Sequence, residues 1–327
     1  MSSPTDYADL ELLRGPLTAY CYRMLGGSGE TDDAVQETLV RAWRNLDRFE
    51  PHQGRLSTWT HRIAHNVCVD MLRGAQRRAL SMDMSPAAKA GDPLGAPLSA
   101  DRFVEPMPDG RILTATDPGE IIAERQTVRL AFVAALQHLT PYQRSALILR
   151  DVLRFSAAET AAVMESSVAA VNSAVQRARN QMASVNPAPT DLYDPTDPGQ
   201  CELLDRYVRA FESHDVDGLI AVLRDDATTT MPPFVWWLRG GRTIAELMAF
   251  SDSCAGARLI PAVINGSPGF GQYRPDDGGG HSPFALVQVD ITGGTISGLV
   301  TFLGTADRFV EFGLPAQLPE NCAPAAR

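Results

Sequence analysis

The chain has 327 residues, 44% of them hydrophobic and 21% charged, and a formal net charge of −10. That length holds two or three domains, and the balance of apolar and charged residues supports packed cores, which excludes a disordered or low-complexity chain. No apolar run approaches a membrane span, and MSSPTDYADL lacks the basic and apolar parts of a signal peptide, so a cytoplasmic protein without membrane contact is expected.

The five cysteines (Cys21, Cys68, Cys201, Cys254 and Cys322) are scattered and odd in number. Their spacing matches neither a disulfide framework nor a zinc site; reduced, mostly buried thiols are expected, with no metal and no cofactor. An acidic chain is poorly suited to gripping DNA unaided, but the charge is unevenly spread. Residues 1–80 carry ten basic and ten acidic side chains, 136–182 carry five and three, and the tail from 199 carries nine and fifteen. Acidic character therefore lies mainly in the tail and connecting segments. Lys89 is the only lysine.

Residues 10–78 are helical in pattern. Thr31 is a candidate N-cap with Asp32 and Asp33 in the first turn, followed by a one-face stripe of Val35, Leu39, Trp43 and Leu46. Asp33, Gln36, Glu37 and Arg41 fall off that stripe; taken alone, such a face is most often merely solvated. In RLSTWTHRIAHNVCVDMLRGAQRR, Ile63, Val67, Met71 and Leu72 supply a core stripe. Trp59, Arg62, Asn66, Asp70 and Arg73 punctuate it, and Arg77 and Arg78 follow. Aromatics beside arginines suit single-stranded DNA, where bases stack on rings and guanidinium groups track phosphates; by type alone Trp59 fits a core better.

Residues 79–118 are rich in Ala, Pro, Gly, Asp and Ser and read as a linker. Helical pattern returns over 119–183. Thr140, Pro141 and Gln143 form a helix start with cap, N1 proline and capping-box partner, and Ser156 with Glu159 repeats the box. SAAETAAVMESSVAAVNSAVQRAR then reads as a helix-turn-helix with its turn around Glu165–Ser167. Val168, Val171 and Val175 are the expected buried stripe. Ala169, Asn172, Ser173, Gln176, Arg177 and Arg179 form the outer face: short polar groups for base edges and arginines for phosphates, a pattern any amphipathic hairpin also presents. Residues 184–199 read as a second linker. From 200 to 318 two helical stretches (202–224 and 242–255) precede β-like runs such as PFALVQVDI and TISGLVTFLG, which predicts an α+β domain.

DDAVQETLVRAW followed by RLSTWTHRIAHNVCVDMLR resembles domain two of the extracytoplasmic-function (ECF) group of sigma-70-family factors. LQHLTPYQRSALILRDVLRFSAAETAAVM through QRAR resembles their domain four. The resemblance implies two all-α sigma domains, a domain-2 helical bundle and a domain-4 helix-turn-helix. It places Asp33, Gln36 and Glu37, with Arg41 beside them, against the clamp of core RNA polymerase, whose flap is a further partner surface. It assigns Trp59, Arg62, Asn66, Asp70, Arg73, Arg77 and Arg78 to reading and melting the minus-ten element, and the outer face of 169–179 to the minus-thirty-five element. Bases flipped from a melted strand are read on exposed edges. Many relatives carry Gly at the turn and basic residues in the recognition helix where this chain has Glu165, Asn172 and Ala174, which implies weak or unusual minus-thirty-five binding.

LLDRYVRAFESHDVDGLIAVLRDDATTTMPP resembles the opening of SnoaL-like domains of the NTF2-like fold, a curved sheet wrapped by helices around a conical pocket. Met231, Phe234, Trp236, Trp237, Phe250 and Phe302 are candidate lining residues for a small hydrophobic ligand, although core packing explains any one of them. Isomerase chemistry needs a carboxylate base and a neutral donor facing the pocket. Asp226, Asp252, His214 and Tyr273 qualify only by type. Leu238 and Gly304 stand where related tails often have tyrosine and aspartate, so no catalytic residues are assigned. The resemblance implies an ECF sigma factor regulated in cis by its tail. The alternatives are a bifunctional protein with an isomerase- or hydrolase-type tail, an autonomous helix-turn-helix regulator, and a purely structural tail.

Overall fold

In the computed structural model, residues 7–52, 54–74, 77–113, 118–185, 190–252 and 254–319 are described. The helices of the first 185 residues begin where short polar side chains meet a periodic apolar pattern. Helix α1 (Arg14–Leu25) ends in Gly26 at φ 77, whose N–H caps the Tyr22 carbonyl. A side chain at Gly26 would be strained by that backbone and would crowd Arg78 and Gln137. Helix α2 (Ser28–Arg44) starts three residues before the cap expected at Thr31. Thr31 lies inside it, buried, its hydroxyl bonded to the Gly27 carbonyl at 2.5 Å. The negative first turn that was to mark the start is carried instead by Glu30. Helix α3 is Leu56–Leu72, α4 Pro118–Val128, α5 Leu130–Leu136, α6 Pro141–Leu147, α7 Ala157–Val163 and α8 Val168–Val185. Both expected capping boxes form: Thr140 with Gln143, and Ser156 with Glu159, each making reciprocal bonds of 2.8–3.3 Å.

The chain folds into two compact units, 1–79 with 110–187, and 80–109 with 188–327. The first holds both sigma regions side by side. Its two helical blocks share one apolar core, in which Tyr20, Met24, Leu39 and Val67 of the first lie with Leu136, Ile148, Val163 and Val171 of the second. Of the expected stripes, Val35 and Leu39 are buried but Trp43 is 59% exposed; Val171 and Val175 are buried but Val168 is 42% exposed. Ala174 and Ala178 fill the core side of α8 instead. The helix turns at 100° per residue, so positions 171, 174, 175 and 178 share a face that 168 only borders.

In the second unit α9 (Pro198–Glu212) is capped by the Asp197 carboxylate, and α10 (Val216–Val222) by Asp215. They and α11 (Gly241–Phe250) accompany one six-stranded sheet. Its strands are β1 (Leu223–Thr230), β2 (Trp237–Arg239), β3 (Arg258–Ile264), β4 (Ser267–Pro275), β5 (His281–Thr292) and β6 (Thr295–Leu303), in the order β2-β1-β6-β5-β4-β3. Only β1 and β6 run parallel. The hairpins turn on Asn265-Gly266 and Gly293-Gly294, all at positive φ, the conformation two-residue hairpin loops demand. Leu223 and Arg224, expected at the end of a helix, instead open strand β1 (LRDDATTT), whose threonines suit a pleated surface.

Neither expected linker is a loose connector where it is described. Residues 80–109 form a strap along the second unit. Ala88 N–H donates to the Trp237 carbonyl (2.8 Å), Leu98 N–H to Pro233 (2.8 Å), and Trp237 Nε1 to the Ser85 carbonyl (2.9 Å). The strap ends against the β3–β4 turn: Met107 N–H donates to Asn265 Oδ1 (2.8 Å), and Asn265 N–H to the Met107 carbonyl (3.1 Å). Of the second linker, residues 186–189 lie outside the described residues. Asp191 N–H bonds the Ile291 carbonyl (2.7 Å), and Tyr193 is buried in the sheet domain's core. Backbone groups pair with backbone groups here, which composition does not report.

Asn265→Ala removes a buried bond to the strap and leaves a non-glycine residue at φ 51. It should lower the unfolding free energy by about 1–3 kcal/mol in urea denaturation.

Candidate functional site

On α2, Asp33, Gln36, Glu37 and Arg41 are all exposed. Arg41 Nε lies 2.6 Å from Glu37 Oε1, an exposed pair of little energetic weight. Trp43 follows Gln36 by seven residues and so extends the same face. The sequence pattern had assigned it to the core, whereas it is 59% exposed beside that polar cluster.

Helix α3 carries Asn66 and Asp70 exposed, and Trp59 and Arg62 half-buried. Trp59 rests on Phe49 with ring centroids 5.5 Å apart. Arg73 pairs with Asp70 at 2.9 Å, and Arg77 Nη1 lies 2.9 Å from His138 Nδ1. Arg78 departs from expectation. It is 5% exposed and ion-paired with Glu30 beside the start of α2, so in this conformation it is a structural cation rather than part of a DNA-facing surface.

The outer face of α8 is as expected: Ala169, Asn172, Ser173, Gln176, Arg177 and Arg179 are exposed. Arg177 bonds Ser173 (2.6 Å) and Gln176 bonds Asn180 (3.1 Å), while Arg179 makes a two-pronged pair with Asp151 at 2.7 and 2.8 Å. Glu165 occupies the turn at φ 48, where a glycine would sit without strain.

The two helical blocks meet through buried polar groups. His65 Nδ1 of α3 lies 2.9 Å from Ser145 Oγ of α6 and 3.3 Å from the Tyr20 hydroxyl of α1, which itself lies 2.8 Å from Ser145. Arg144 is 4% exposed and donates to the Met24 carbonyl at the end of α1 and to Gln137 Oε1 (2.7 Å). Burial lowers its guanidinium to about 10, so it remains charged at neutral pH, and the α1 carbonyls it meets are the negative end of that helix. Beside it His61 packs between Tyr20 (5.6 Å) and Phe155 (5.0 Å). At the rim Arg62 lies 3.8 Å from Glu165 and Arg55 3.5 Å from Glu159. Helix α3 is thus packed against the helix-turn-helix.

The second unit holds a cavity of about 290 Å³. Met231 and Trp236 line it, joined by Tyr207, Gln272, Cys254 and Leu94, among others. The remaining expected lining residues do not. Phe250 is 79% exposed, and Trp237 is held under the strap by its bond to Ser85. Phe234 packs on the core but not on the cavity. Phe302 is opposite Leu286, which is opposite Gly271, and a side chain at Gly271 would meet Phe309 and Leu314. That row faces away from the cavity, because alternate strand residues take opposite faces. Nor do Asp226, Asp252, His214 or Tyr273 line it. Asp226 pairs with Arg224, His214 lies 3.0 Å from the Ala249 carbonyl, and Tyr273 donates to Pro315.

Two helical regions and an α+β cone define the class, and comparison with known proteins narrows it. Residues 10–78 match the family described as Sigma-70 region 2, and residues 129–182 match Sigma-70, region 4. Over 319 residues the chain is 41% identical to ECF RNA polymerase sigma factor SigG of Mycobacterium tuberculosis (strain CDC 1551 / Oshkosh), covering 95% of this chain and 84% of that protein. It is 27% identical over 275 residues to ECF RNA polymerase sigma factor SigJ of Mycobacterium tuberculosis (strain ATCC 25618 / H37Rv), covering 81% and 80%. The crystal structure of the Mycobacterium tuberculosis extracytoplasmic function sigma factor SigJ superposes with a TM-score of 0.57 at 22% identity, covering 95% of this chain and all of that one, a likeness of fold. The chain belongs to the ECF RNA polymerase sigma factors. It is a transcription initiation factor rather than an enzyme, and its last domain is an α+β domain built on one six-stranded sheet.

Burial lowers His61 and His65 to about 4. Both are neutral in the folded unit, while in the unfolded chain they protonate near the ordinary 6.5. Stability is therefore full above about pH 6.5 and falls as pH drops toward 4, by up to about 3 kcal/mol per histidine. Urea unfolding followed between pH 7 and 4.5 should show that slope, and His65→Asn should reduce it. At the other surface, Trp43→Ala should weaken core-polymerase affinity about tenfold without lowering the thermal midpoint.

Proposed function

We propose that this sigma factor acts in the cytoplasm and docks on the polymerase clamp through Asp33, Gln36, Glu37, Arg41 and Trp43. Helix α3 reads the melted minus-ten strand with Trp59, Arg62, Asn66, Asp70, Arg73 and Arg77. Helix α8 enters the minus-thirty-five major groove with Ala169, Asn172, Ser173, Gln176 and Arg177, its domain resting on the flap. Arg179 is released to phosphate only when its pair with Asp151 opens. Promoter elements about 25 base pairs apart are separated by about 85 Å along the duplex. Regions sharing one core do not span that distance, so the compact unit is a closed form that polymerase and promoter open.

The tail regulates this opening in cis. The observation that carries the reading is the strap: residues 80–109 are the covalent connection between the two sigma regions, and their backbone pairs with Pro233, Trp237 and Asn265 of the tail. A docked strap shortens the tether available to the opened regions, and its release lengthens it. The tail thereby acts through chain length without touching DNA.

Run-off transcription with core polymerase tests both parts. Asp33→Ala with Gln36→Ala should reduce promoter-specific transcript at least tenfold, whereas an autonomous helix-turn-helix regulator would be indifferent to the change. Deleting 199–327, or unseating the strap with Asn265→Ala, should alter transcript yield at unchanged core affinity. Equal yields from all three tail forms would reduce the tail to a structural appendage.

A further inference from the structure

The exposed side of α2 carries the carboxylates of Asp32, Asp33 and Glu37. Asp32 stands one turn before Gln36, and Asp33 one turn before Glu37, so Asp32 extends the face proposed to meet core polymerase. Two of these carboxylates are met by arginines of the chain itself. Glu37 takes Arg41, four residues along its own helix, at 2.6 Å. Asp32 takes Arg111, from 79 positions further along the chain, whose Nη2 donates to Asp32 Oδ1.

The two arginines differ in what holds them. Arg41 is part of α2 and travels with Glu37. Arg111 belongs to a one-turn helix, Asp109–Ile112, which lies in the sequence between the two sigma regions. Its neighbour Ile112 is fully buried and seats that turn. The ion pair itself is open to water, with Arg111 33% and Asp32 54% exposed. Exposed pairs of this kind are weak, so an outside cation can replace the inside one.

We propose that Arg111 is a built-in competitor on the polymerase-docking face: it neutralises Asp32 in the free protein, and a cationic side chain of core polymerase takes its place on docking. Two cations crowded onto one exposed carboxylate repel each other, so Arg111 leaves as the polymerase arrives. Its departure also releases the Asp109–Ile112 turn from α2, and that turn is part of the chain joining the two sigma regions. The exchange is reciprocal: whatever holds Arg111 away from Asp32 strengthens docking by the factor that docking weakens the internal pair. The identity of the partner rests on the clamp reading given above. The sign of the effect does not, because a residue that itself gripped polymerase would weaken binding when removed, and a competitor strengthens it.

Affinity of the full-length protein for cognate core polymerase is measured by biolayer interferometry at salt concentrations between about 0.05 and 0.3 M. Arg111→Ala should tighten binding about three- to fivefold at the low end, the range of one exposed ion pair, and the gain should shrink as salt rises. Arg111→Lys keeps the charge and should return binding to the starting value. Asp32→Asn should weaken binding, and adding Arg111→Ala to it should bring no gain, as expected of two groups that share one contact. A thermal midpoint for each variant separates unfolding from lost docking. Arg111→Gln, uncharged but close in length, carries the same expectation should the alanine variant unfold. Unchanged or weaker binding by a folded, uncharged variant at position 111 overturns the proposal, as does a gain that survives in Asp32→Asn. The clamp reading fails by a different result, unchanged core affinity in Asp33→Ala with Gln36→Ala. If that pair weakens binding while loss of the Arg111 charge does not strengthen it, the competitor alone is wrong.

Discussion

Two adjacent residues of α6, Arg144 and Ser145, hold the first unit in the form seen here. Arg144 places a buried positive charge on the carbonyl end of α1, and Ser145 completes a hydrogen-bonded triad with Tyr20 and His65. Neither is incidental to the core, because a buried guanidinium stripped of its acceptors costs several kcal/mol. While α6 is in place, the terminal nitrogens of Arg144 and the polar groups of Tyr20, His65 and Ser145 all have partners. When it withdraws, Arg144, Tyr20 and His65 must all find water at once. That makes opening a discrete step rather than a gradual loosening, which is the behaviour a two-state initiation factor needs.

The same junction governs the functional surfaces. The side of α2 proposed to meet the clamp, from Asp33 to Trp43, is exposed in the closed form. The side of α3 proposed to read the promoter is half occupied, with Arg62 near Glu165 and Arg55 near Glu159. On the proposed reading polymerase docks before DNA is read, and the helix-turn-helix glutamates stand where the negatively charged nucleic acid would come. Those rim pairs are exposed and individually weak, so the grip lies in the buried triad and in Arg144. The proposed role of the strap adds a second control, acting through the length of chain between the regions.

Much of this was legible in the sequence, and the gaps have physical reasons. Both capping boxes, the helix-turn-helix and the outer face of α8 followed from side-chain chemistry a few residues apart. Thr31 failed as a cap because a threonine hydroxyl can return its bond to the preceding turn as readily as cap a helix. Trp43 and Val168 were placed in the core because periodicity finds a face but not its width. Phe302 was placed in the cavity because residue type does not reveal strand parity, which only the register with Leu286 and Gly271 settles. The strap was missed for a deeper reason: SPAAKAGDPLGAPLSAD has a linker's composition, yet it is held by backbone pairing, to which composition is blind. Arg78 shows the reverse error, since a terminal arginine that looks solvent-bound is buried by a carboxylate 48 positions earlier.

The central claim is that the sigma regions share a core until polymerase separates them. Spin labels carried by non-natural amino acids at positions 66 and 172, both exposed asparagines, would report the separation by double electron–electron resonance in the full-length protein. The account predicts one short distance in the unbound protein and an increase of several tens of ångströms on binding core polymerase and promoter. A distance distribution that is the same in both states, or already long in the unbound protein, would contradict it.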